Sequence, residues 1–150
     1  MKSINNVDTV EFSDWIKTKA KLRYDGQIPQ FPIYNNFIYW CDLGKNIGSE
    51  QDKVRPVIIL KTSKNSPICA IIPLTSRRLN DYLNFHIDLD IIDSTALVEQ
   101  VKVVSKLRFI NPFRKKGKLI TISQNDYNRI NKQLENLYRL RPIKINAKNT

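Results

Sequence analysis

The sequence predicts a mainly β protein of the α+β class, in which a small antiparallel barrel lies between an N-terminal helical extension and a C-terminal helix. Short β-rich runs separated by turn residues fill the middle of the chain, and no stretch between them is long enough for a helical crossover. Helical patterns precede and follow these runs. A length of 150 residues, of which 41% are hydrophobic, suits one domain with a core.

The first 33 residues predict an extension that is separate from the barrel. Between Val10 and Tyr24, apolar residues and lysines follow near-helical spacing, which predicts one amphipathic helix ended by Gly26. Pro29 and Pro32 then predict an extended linker, since proline breaks helices. We expect the helix to pack on the barrel; a dimer interface or contact with another protein is the alternative.

Seven runs predict strands, because each is rich in β-branched or aromatic residues and bounded by turn residues. They span residues 37–43, 54–61, 68–74, 84–90, 95–98, 102–109 and 118–122. The fourth run alternates strictly, which places Ile87 on an apolar face and His86 on a polar one. The unit that these runs form is predicted to begin near Tyr34.

A second helix is predicted after the last strand. Ser123 followed by Asp126 resembles a helix-capping arrangement, and apolar residues from Tyr127 to Leu137 then share one stripe. Pro142 closes the pattern. We therefore expect a barrel with its C-terminal helix at residues 34–138, followed by a basic, flexible tail at residues 139–150.

The charge distribution predicts a polyanionic partner. The net charge is +11 and the isoelectric point is about 9.8, which favours nucleic acid. Between Glu99 and Asp126 the chain has no acidic residue but seven basic ones, beginning with Lys102. A solvated surface is the ordinary interpretation of such a run, but the missing counter-charges favour phosphate contact.

The composition also excludes several functional classes. The two cysteines, Cys41 and Cys69, are too few for a disulfide framework and lie in apolar runs, so we expect buried thiols. A single histidine, His86, excludes a histidine-rich metal site within one subunit. The first residues lack the apolar stretch of a secretory signal, and no run approaches the ~20 residues that span a bilayer. We expect a cytoplasmic protein without a metal, cofactor or membrane partner.

The stretch from Tyr39 to Ile59 predicts a candidate site. It consists of a strand, a polar loop with two glycines and a second strand in which Arg55 precedes Pro56. Because proline lacks an N–H group, Pro56 is expected at an edge or strand start, which puts Arg55 near a rim where ligands bind. On these residues alone, an ion pair of Arg55 with Asp52 or Glu50 is equally compatible.

Five short motifs occur in a fixed order between residues 36 and 137. They are Tyr39-Trp40-Cys41-Asp42-Leu43-Gly44, Ile47-Gly48-Ser49-Glu50-Gln51, Arg55-Pro56-Val57, Pro73-Leu74-Thr75-Ser76 and Val98-Glu99-Gln100-Val101. In this order and spacing, they resemble the MazF/PemK family of toxin endoribonucleases from type II toxin–antitoxin systems. The resemblance implies an SH3-like barrel of the MazF/CcdB type and a homodimer.

The resemblance also implies a reaction and its residues. It implies metal-independent, sequence-selective cleavage of single-stranded RNA, such as mRNA, by 2′-hydroxyl attack to give 2′,3′-cyclic phosphate and 5′-hydroxyl ends. By motif position, Arg55 and Thr75 would be catalytic. A guanidinium suits the negative charge that develops on the phosphorane, and a threonine hydroxyl can donate to phosphate. The implied RNA-binding residues are Gly48, Ser49, Glu50, Gln51, Ser76, Glu99 and Gln100, to which the basic run adds Lys102.

Ordinary structural roles are alternatives to some of these functional assignments. Thr75 and Ser76 also suit a turn at a strand end, Glu99 also suits local charge balance, and Gln100 also suits backbone hydrogen bonding. His86 lies outside the matched motifs and is not assigned catalysis, so the general base is left open.

The expected partner is an acidic antitoxin whose initially disordered tail covers the basic groove. Two other functions stay open at this point, because fold alone does not decide function. One is a non-enzymatic CcdB-like toxin that poisons gyrase through protein contacts, and the other is a catalytically inactive RNA-binding barrel. The basic run and the polar loop favour the nuclease.

Overall fold

The protein was analysed as a computed structural model, which describes residues 5–142. The part of the predicted tail at residues 143–150 lies outside the described residues. The elements are α1 (Asn6–Asp25), β1 (Ile38–Asp42), β2 (Val54–Lys61), β3 (Ile68–Thr75), β4 (His86–Asp88), β5 (Thr95–Leu97), β6 (Lys102–Ser105), β7 (Phe109–Pro112), β8 (Arg114–Lys115), β9 (Lys118–Leu119) and α2 (Gln124–Tyr138), with single 3-10 turns at Val98–Gln100 and Lys106–Arg108.

Seven of the strands form one antiparallel sheet. Its main path is β4-β5-β3-β2-β1-β7, and β6 joins it by pairing with β3. β3 is the central strand, because it pairs with β2, with β6 near its start and with β5 at its end. The predicted mainly β, barrel-like fold with a helix at each end is confirmed.

The two faces of β2 and β3 pack into two different clusters. Ile58, Ile72 and Leu74 face one cluster, which α2 covers with Ile130. The alternate residues, such as Val57, belong to the second cluster with Tyr39, Cys41 and Phe109 of β1 and β7. Side chains alternate across a strand, so a strand covered on both sides is apolar almost throughout. This explains why the apolar run at residues 54–61 predicts β2 with its observed bounds.

Some predicted strands are shorter or interrupted. The run at residues 102–109 divides into β6, a 3-10 turn and β7. The turn is fixed by Ser105, whose Oγ accepts from the Leu107 N–H at 3.2 Å. It is also fixed by Lys106, which is buried and donates from Nζ to the Ser63 carbonyl at 2.8 Å. These contacts replace strand pairing in the middle of the run.

α1 is longer than predicted and is not amphipathic. Asn5 caps the helix by accepting from the Asp8 N–H at 2.8 Å, and the first helical residue, Asn6, lies four residues before the predicted helical pattern starts. The apolar residues Val10, Phe12 and Ile16 are each more than half exposed, and no residue of α1 is fully buried. The apolar positions are therefore spread around the helix instead of facing the barrel together.

Trp15 makes the main contact between α1 and the barrel. Gly44 has φ +81°, and a Cβ there would lie 2.2 Å from Cζ2 of the Trp15 ring. The Arg108 guanidinium lies 5.5 Å from the centre of the same ring, and Glu11 pairs with Lys45 beside it. Only a glycine satisfies both the left-handed backbone and the close approach of the ring.

Within residues 5–142, neither helix combines the length and the apolar content that crossing a membrane requires.

Candidate active site

Arg55 and Thr75 lie near the same end of two paired strands, β2 and β3. In the antiparallel register Val57 pairs with Pro73; Arg55 lies two residues before Val57, and Thr75 lies two residues after Pro73. At these two positions Arg55 pairs with Cys41 of β1 and Thr75 pairs with Thr95 of β5. Pairing with β3 begins only after Pro56, so its missing N–H leaves no gap between the two strands. The two predicted catalytic residues, which are 20 positions apart in sequence, therefore lie toward the same end of the β2–β3 pair.

Arg55 is anchored by the loop that precedes it. Its Nε donates to the Asp52 carbonyl at 2.7 Å, and one terminal nitrogen lies 4.0 Å from Asp52 Oδ1. The ion pair anticipated as an alternative is thus at the limit of contact. Neither terminal nitrogen makes a hydrogen bond within residues 5–142, and the side chain is 23% exposed. The guanidinium has a fixed orientation and donors to spare.

Thr75 lies at the end of β3 with its hydroxyl in a turn. The side chain is nearly buried, and Oγ1 accepts from the Arg77 N–H at 3.3 Å. This is the turn role anticipated for a threonine at a strand end. The bond uses the oxygen as an acceptor, so the hydroxyl proton stays available for donation.

The loop between β1 and β2 is closed at its base. Gly44 and Lys53 are bridged by a backbone hydrogen bond of 2.6 Å, and Asn46 Nδ2 donates to the Leu43 and Gln51 carbonyls. At the tip, Gly48 adopts φ +61° with open space around it. The loop therefore has a fixed base and a tip with room for a ligand.

A cavity of about 430 Å³ lies beside this loop. Its walls come from two of the five motifs and are formed by Ser49, Glu50, Gln51, Glu99, Gln100, Val101 and Lys102. Gln100 joins the walls, because its Oε1 accepts from the Gln51 N–H at 2.7 Å and its Nε2 donates to the Ser49 carbonyl at 2.9 Å. Gln100 thus makes the backbone hydrogen bonds that were anticipated as its structural role.

Not all predicted site residues reach this cavity. Arg55, Thr75, Gly48 and Ser76 are not among its lining residues. Arg55 is linked to the loop through Asp52, and Ser76 is exposed directly after Thr75. The predicted residues consequently form a strand-end pair and a neighbouring loop cavity, not one closed pocket.

The basic run is less uniform than its sequence suggests. Lys102 lines the cavity, whereas Lys106 is buried and Arg108 donates to the Asp42 carbonyl at 3.1 Å beneath Trp15. Of these three bases, only Lys102 is placed to meet a ligand at the loop cavity.

The two thiols are not nucleophiles. Burial raises the pKa of Cys41 to about 12 and the pKa of Cys69 to about 11, so both are protonated at neutral pH. Both are buried, as their apolar surroundings predict.

Two oxygen atoms in the cavity walls are buried without a hydrogen-bond donor among residues 5–142. They are Gln51 Oε1 and Glu99 Oε2. Buried acceptors without partners are costly, so a ligand that brings N–H or O–H groups to these oxygens would be favoured. Base edges carry such donors, whereas phosphates are acceptors.

Sequence reasoning missed the surroundings of His86. Its ring is 6% exposed and lies between two carboxylates, with Nδ1 2.5 Å from Asp81 Oδ2 and Nε2 2.8 Å from Glu99 Oε1. Burial lowers the pKa of His86, but the hydrogen bonds to Asp81 and Glu99 outweigh this, and the net pKa is raised. The polar position of His86 in an alternating strand was the only signal in the sequence.

Comparisons with known proteins decide the family. Residues 36–138 match the family described as PemK-like, MazF-like toxin of type II toxin-antitoxin system. The chain belongs to the PemK/MazF family. One curated relative is Endoribonuclease EndoA of Bacillus subtilis (strain 168), which is 30% identical over 80 residues, covering 47% of this chain and 69% of the relative. The expectation of an enzyme from a family of toxin endoribonucleases is confirmed at this level.

Solved PemK/MazF structures share the fold. MazF (Form-I) from Deinococcus radiodurans superposes with a TM-score of 0.61 at 15% identity, covering 74% of this chain and all of that one. The MazE-MazF complex (Form-II) from the same organism gives a TM-score of 0.55 at 16% identity, covering 72% of this chain and 96% of that one. A toxin of this family is therefore paired with an antitoxin, whereas α1 lies outside the family match.

Proposed function

We propose that this PemK/MazF toxin is an endoribonuclease that cuts single-stranded RNA at a preferred sequence without a metal ion, with mRNA as its target. The observation that carries the proposal is that Arg55 and Thr75 lie toward the same end of the β2–β3 pair, and that the loop before Arg55 lines a cavity built from two further family motifs. The endoribonuclease named among the relatives supports the same conclusion and disfavours the gyrase-poisoning alternative.

The proposed reaction is attack of a ribose 2′-oxygen on the adjacent phosphorus atom. The 2′-hydroxyl loses its proton to water, the bond from phosphorus to the 5′-oxygen breaks, and the leaving oxygen takes up a proton from water, which leaves a 2′,3′-cyclic phosphate and a 5′-hydroxyl end. Negative charge grows on the phosphorane oxygens, and the free terminal nitrogens of Arg55 supply donors that are already oriented by Asp52. The Thr75 hydroxyl donates a hydrogen bond to the same phosphate.

The cavity residues are proposed to bind the RNA strand around the cut. Lys102 supplies positive charge for a phosphate, while Glu99 and Gln51 offer acceptors to base donors. Ser49 and Glu50 line the same cavity, Gly48 precedes them in the loop, and Ser76 is exposed directly after Thr75. Base edges distinguish sequences and phosphates do not, so we assign sequence preference to the acceptors.

We further propose that the toxin acts as a cytoplasmic homodimer and is inhibited by an acidic antitoxin. The net charge of +11 and the solved MazE-MazF complex support an acidic partner. In the proposed organisation, residues 1–33 form an extension, residues 34–138 form the toxin barrel with its helix, and residues 139–150 form a basic tail.

The deciding experiment is RNA cleavage in excess EDTA. The wild type, Arg55→Ala and the matched control Arg114→Ala are incubated with a long, weakly structured RNA, and the cut ends are mapped and chemically typed. Arg114 lies on the exposed β8–β9 hairpin, where it donates to the Gly117 carbonyl, so both variants lose one arginine charge. We expect Arg55→Ala to lose a factor of about 10² to 10³ in rate and Arg114→Ala to keep wild-type cleavage.

Two outcomes contradict this proposal. If the folded wild type does not cut RNA, the proposed nuclease activity is wrong, and an RNA-binding protein or a gyrase-directed toxin is favoured. Cleavage by Arg55→Ala at the wild-type rate contradicts the catalytic role of Arg55 but leaves the nuclease activity in place.

A further inference from the structure

We propose that His86 and Asp81 are positioning residues, which hold the Glu99 side chain in the cavity wall so that it can recognise RNA. The inference rests on the proposed function, since it requires RNA to enter this cavity. Glu99 is the only member of the three that lines the cavity. His86 and Asp81 act through it.

The three side chains form a continuous chain of hydrogen bonds. Asp81 Oδ2 lies 2.5 Å from His86 Nδ1, and His86 Nε2 lies 2.8 Å from Glu99 Oε1. They come from three segments of the fold: the connection before β4, the first residue of β4 and the 3-10 turn after β5. β4 pairs with β5 so that His86 lies opposite Leu97, which puts its ring within reach of Glu99 two residues further on.

The backbone holds both ends of this chain in place. The Leu83 N–H donates to Asp81 Oδ1 at 3.1 Å, and the His86 N–H donates to the Leu83 carbonyl at 3.0 Å. At the other end, the Tyr138 hydroxyl of α2 donates to the Glu99 carbonyl at 2.9 Å. The position of the Glu99 carboxylate is therefore set by contacts to its backbone and to one of its two oxygens.

The remaining oxygen is the one that would serve RNA. Glu99 Oε2 is buried without a hydrogen-bond partner within residues 5–142, in a side chain that lines the cavity and is 30% exposed. An ionised carboxylate accepts at both oxygens, and fixing one of them directs the other. Side chains that orient a binding group are characteristic of precise recognition sites.

The protonation state of His86 explains why it acts through Glu99. Two ionised carboxylates require both ring nitrogens to donate, and this is the imidazolium form. Burial raises the pKa of Asp81, but the hydrogen bonds from His86 and from the Leu83 N–H, together with the charges of His86 and Arg78, outweigh this and lower it. Tyr138 faces Glu99 from α2. With both N–H groups in use, His86 has no lone pair left to accept a proton from RNA.

A pH dependence follows from this arrangement. Below its raised pKa, His86 keeps both hydrogen bonds, and Glu99 stays in place. As the pH rises through that pKa, one N–H is lost and one carboxylate meets a lone pair instead of a donor. RNA binding is then expected to weaken on the alkaline side.

The test uses the full chain and an RNA oligonucleotide that contains one mapped cut site. The variant Asp81→Asn removes the charge that supports imidazolium, and Asp93→Asn removes the same charge from an exposed turn. KM and kcat are measured against pH in EDTA. In parallel, NMR follows the ring of His86, whose signal needs no assignment because the chain has one histidine.

The expected result is a matched change in two measurements. In the wild type, kcat/KM falls on the alkaline side at the pH where His86 titrates. In Asp81→Asn, both transitions move to lower pH by the same amount, and KM at pH 8 rises about tenfold while kcat changes less. Asp93→Asn behaves as wild type, and Asp81→Glu, which keeps a carboxylate, restores the wild-type profile.

Three results would overturn the inference. One is active wild type whose kcat/KM profile does not follow the His86 titration, or whose ring has an unprotonated nitrogen at pH 6. A second is a shift of the His86 titration in Asp81→Asn without a shift in the pH profile of kcat/KM. Asp81 and His86 would then have a structural role only. If neither the wild type nor Asp93→Asn cuts RNA, the proposed function fails and the inference fails with it.

Discussion

The N-terminal helix and the barrel obtain their stability in different ways. In β2 and β3, Ile58, Ile59, Ile71 and Ile72 have almost no exposed surface, and both faces of the strands are covered. In α1, none of 20 residues is fully buried. Most helical stability in proteins comes from packing, not from intrinsic propensity. The difference teaches that the barrel is stabilised along its whole length, whereas α1 depends on a few contacts around Trp15.

Removing an isoleucine from each region gives the largest expected contrast. Ile72 is fully buried in the cluster under α2, so Ile72→Ala should lower the free energy of unfolding by about 2 to 5 kcal/mol. Ile16→Ala removes the same atoms from α1, where the side chain is half exposed, and should cost less than about 0.5 kcal/mol. Urea unfolding monitored by fluorescence measures both. Equal losses would contradict the comparison.

Trp15→Ala tests whether α1 depends on one contact. The ring fills the space beside Gly44 and lies beneath Arg108, so its loss should lower the local stability of α1 by about 1 to 3 kcal/mol. Amide hydrogen exchange should become faster in α1 and stay unchanged in β2 and β3. Phe12→Ala, at an exposed position of the same helix, is the control and should have little effect. Faster exchange throughout the barrel would show that α1 and the barrel unfold together.

The two helix caps give the smallest contrast. Ser123 Oγ accepts from the Asp126 N–H at 3.0 Å and donates to Asp90 Oδ2 at 2.8 Å, so Ser123→Ala should cost about 1 kcal/mol of global stability. Asn5→Ala removes a similar bond from α1 and should reduce helix content without moving the main thermal transition. Circular dichroism at 222 nm as a function of temperature separates the two effects. If the temperature of the main transition falls in Asn5→Ala, α1 and the barrel unfold together as one cooperative unit.

The parts of the fold that the sequence predicts best are those controlled by local patterns. β2 has its predicted bounds because apolar residues on both faces leave no alternative, and α2 begins at the predicted Ser123 because its cap is a local hydrogen bond. The predicted strand at residues 102–109 is interrupted because Lys106 reaches Ser63, which is 43 positions away in sequence. Contacts at that separation leave no periodic signal.

In the candidate site, too, the sequence predicts the features set by local motifs and misses those that depend on contacts between distant segments. The motif spacing places Arg55 and Thr75 on neighbouring strands, and the antiparallel register puts them toward the same end of those strands. The bonds of Gln100 to the loop depend on two segments that are about 50 residues apart, and sequence predicts the residue without the bond. His86 was assigned only a polar face, because its two carboxylates come from segments whose relative positions depend on the pairing of β4 with β5.

The space that Trp15 occupies above Gly44 has a consequence for how this family is compared. Position 44 carries two separate demands here: a left-handed backbone and room for an aromatic ring supplied by a segment outside the family match. In a relative without the helical extension only the first demand remains, and the left-handed backbone by itself already favours glycine. A side chain introduced at position 44 should therefore be more harmful in this chain than at the corresponding position of a relative without the extension, because here it would also displace the Trp15 ring.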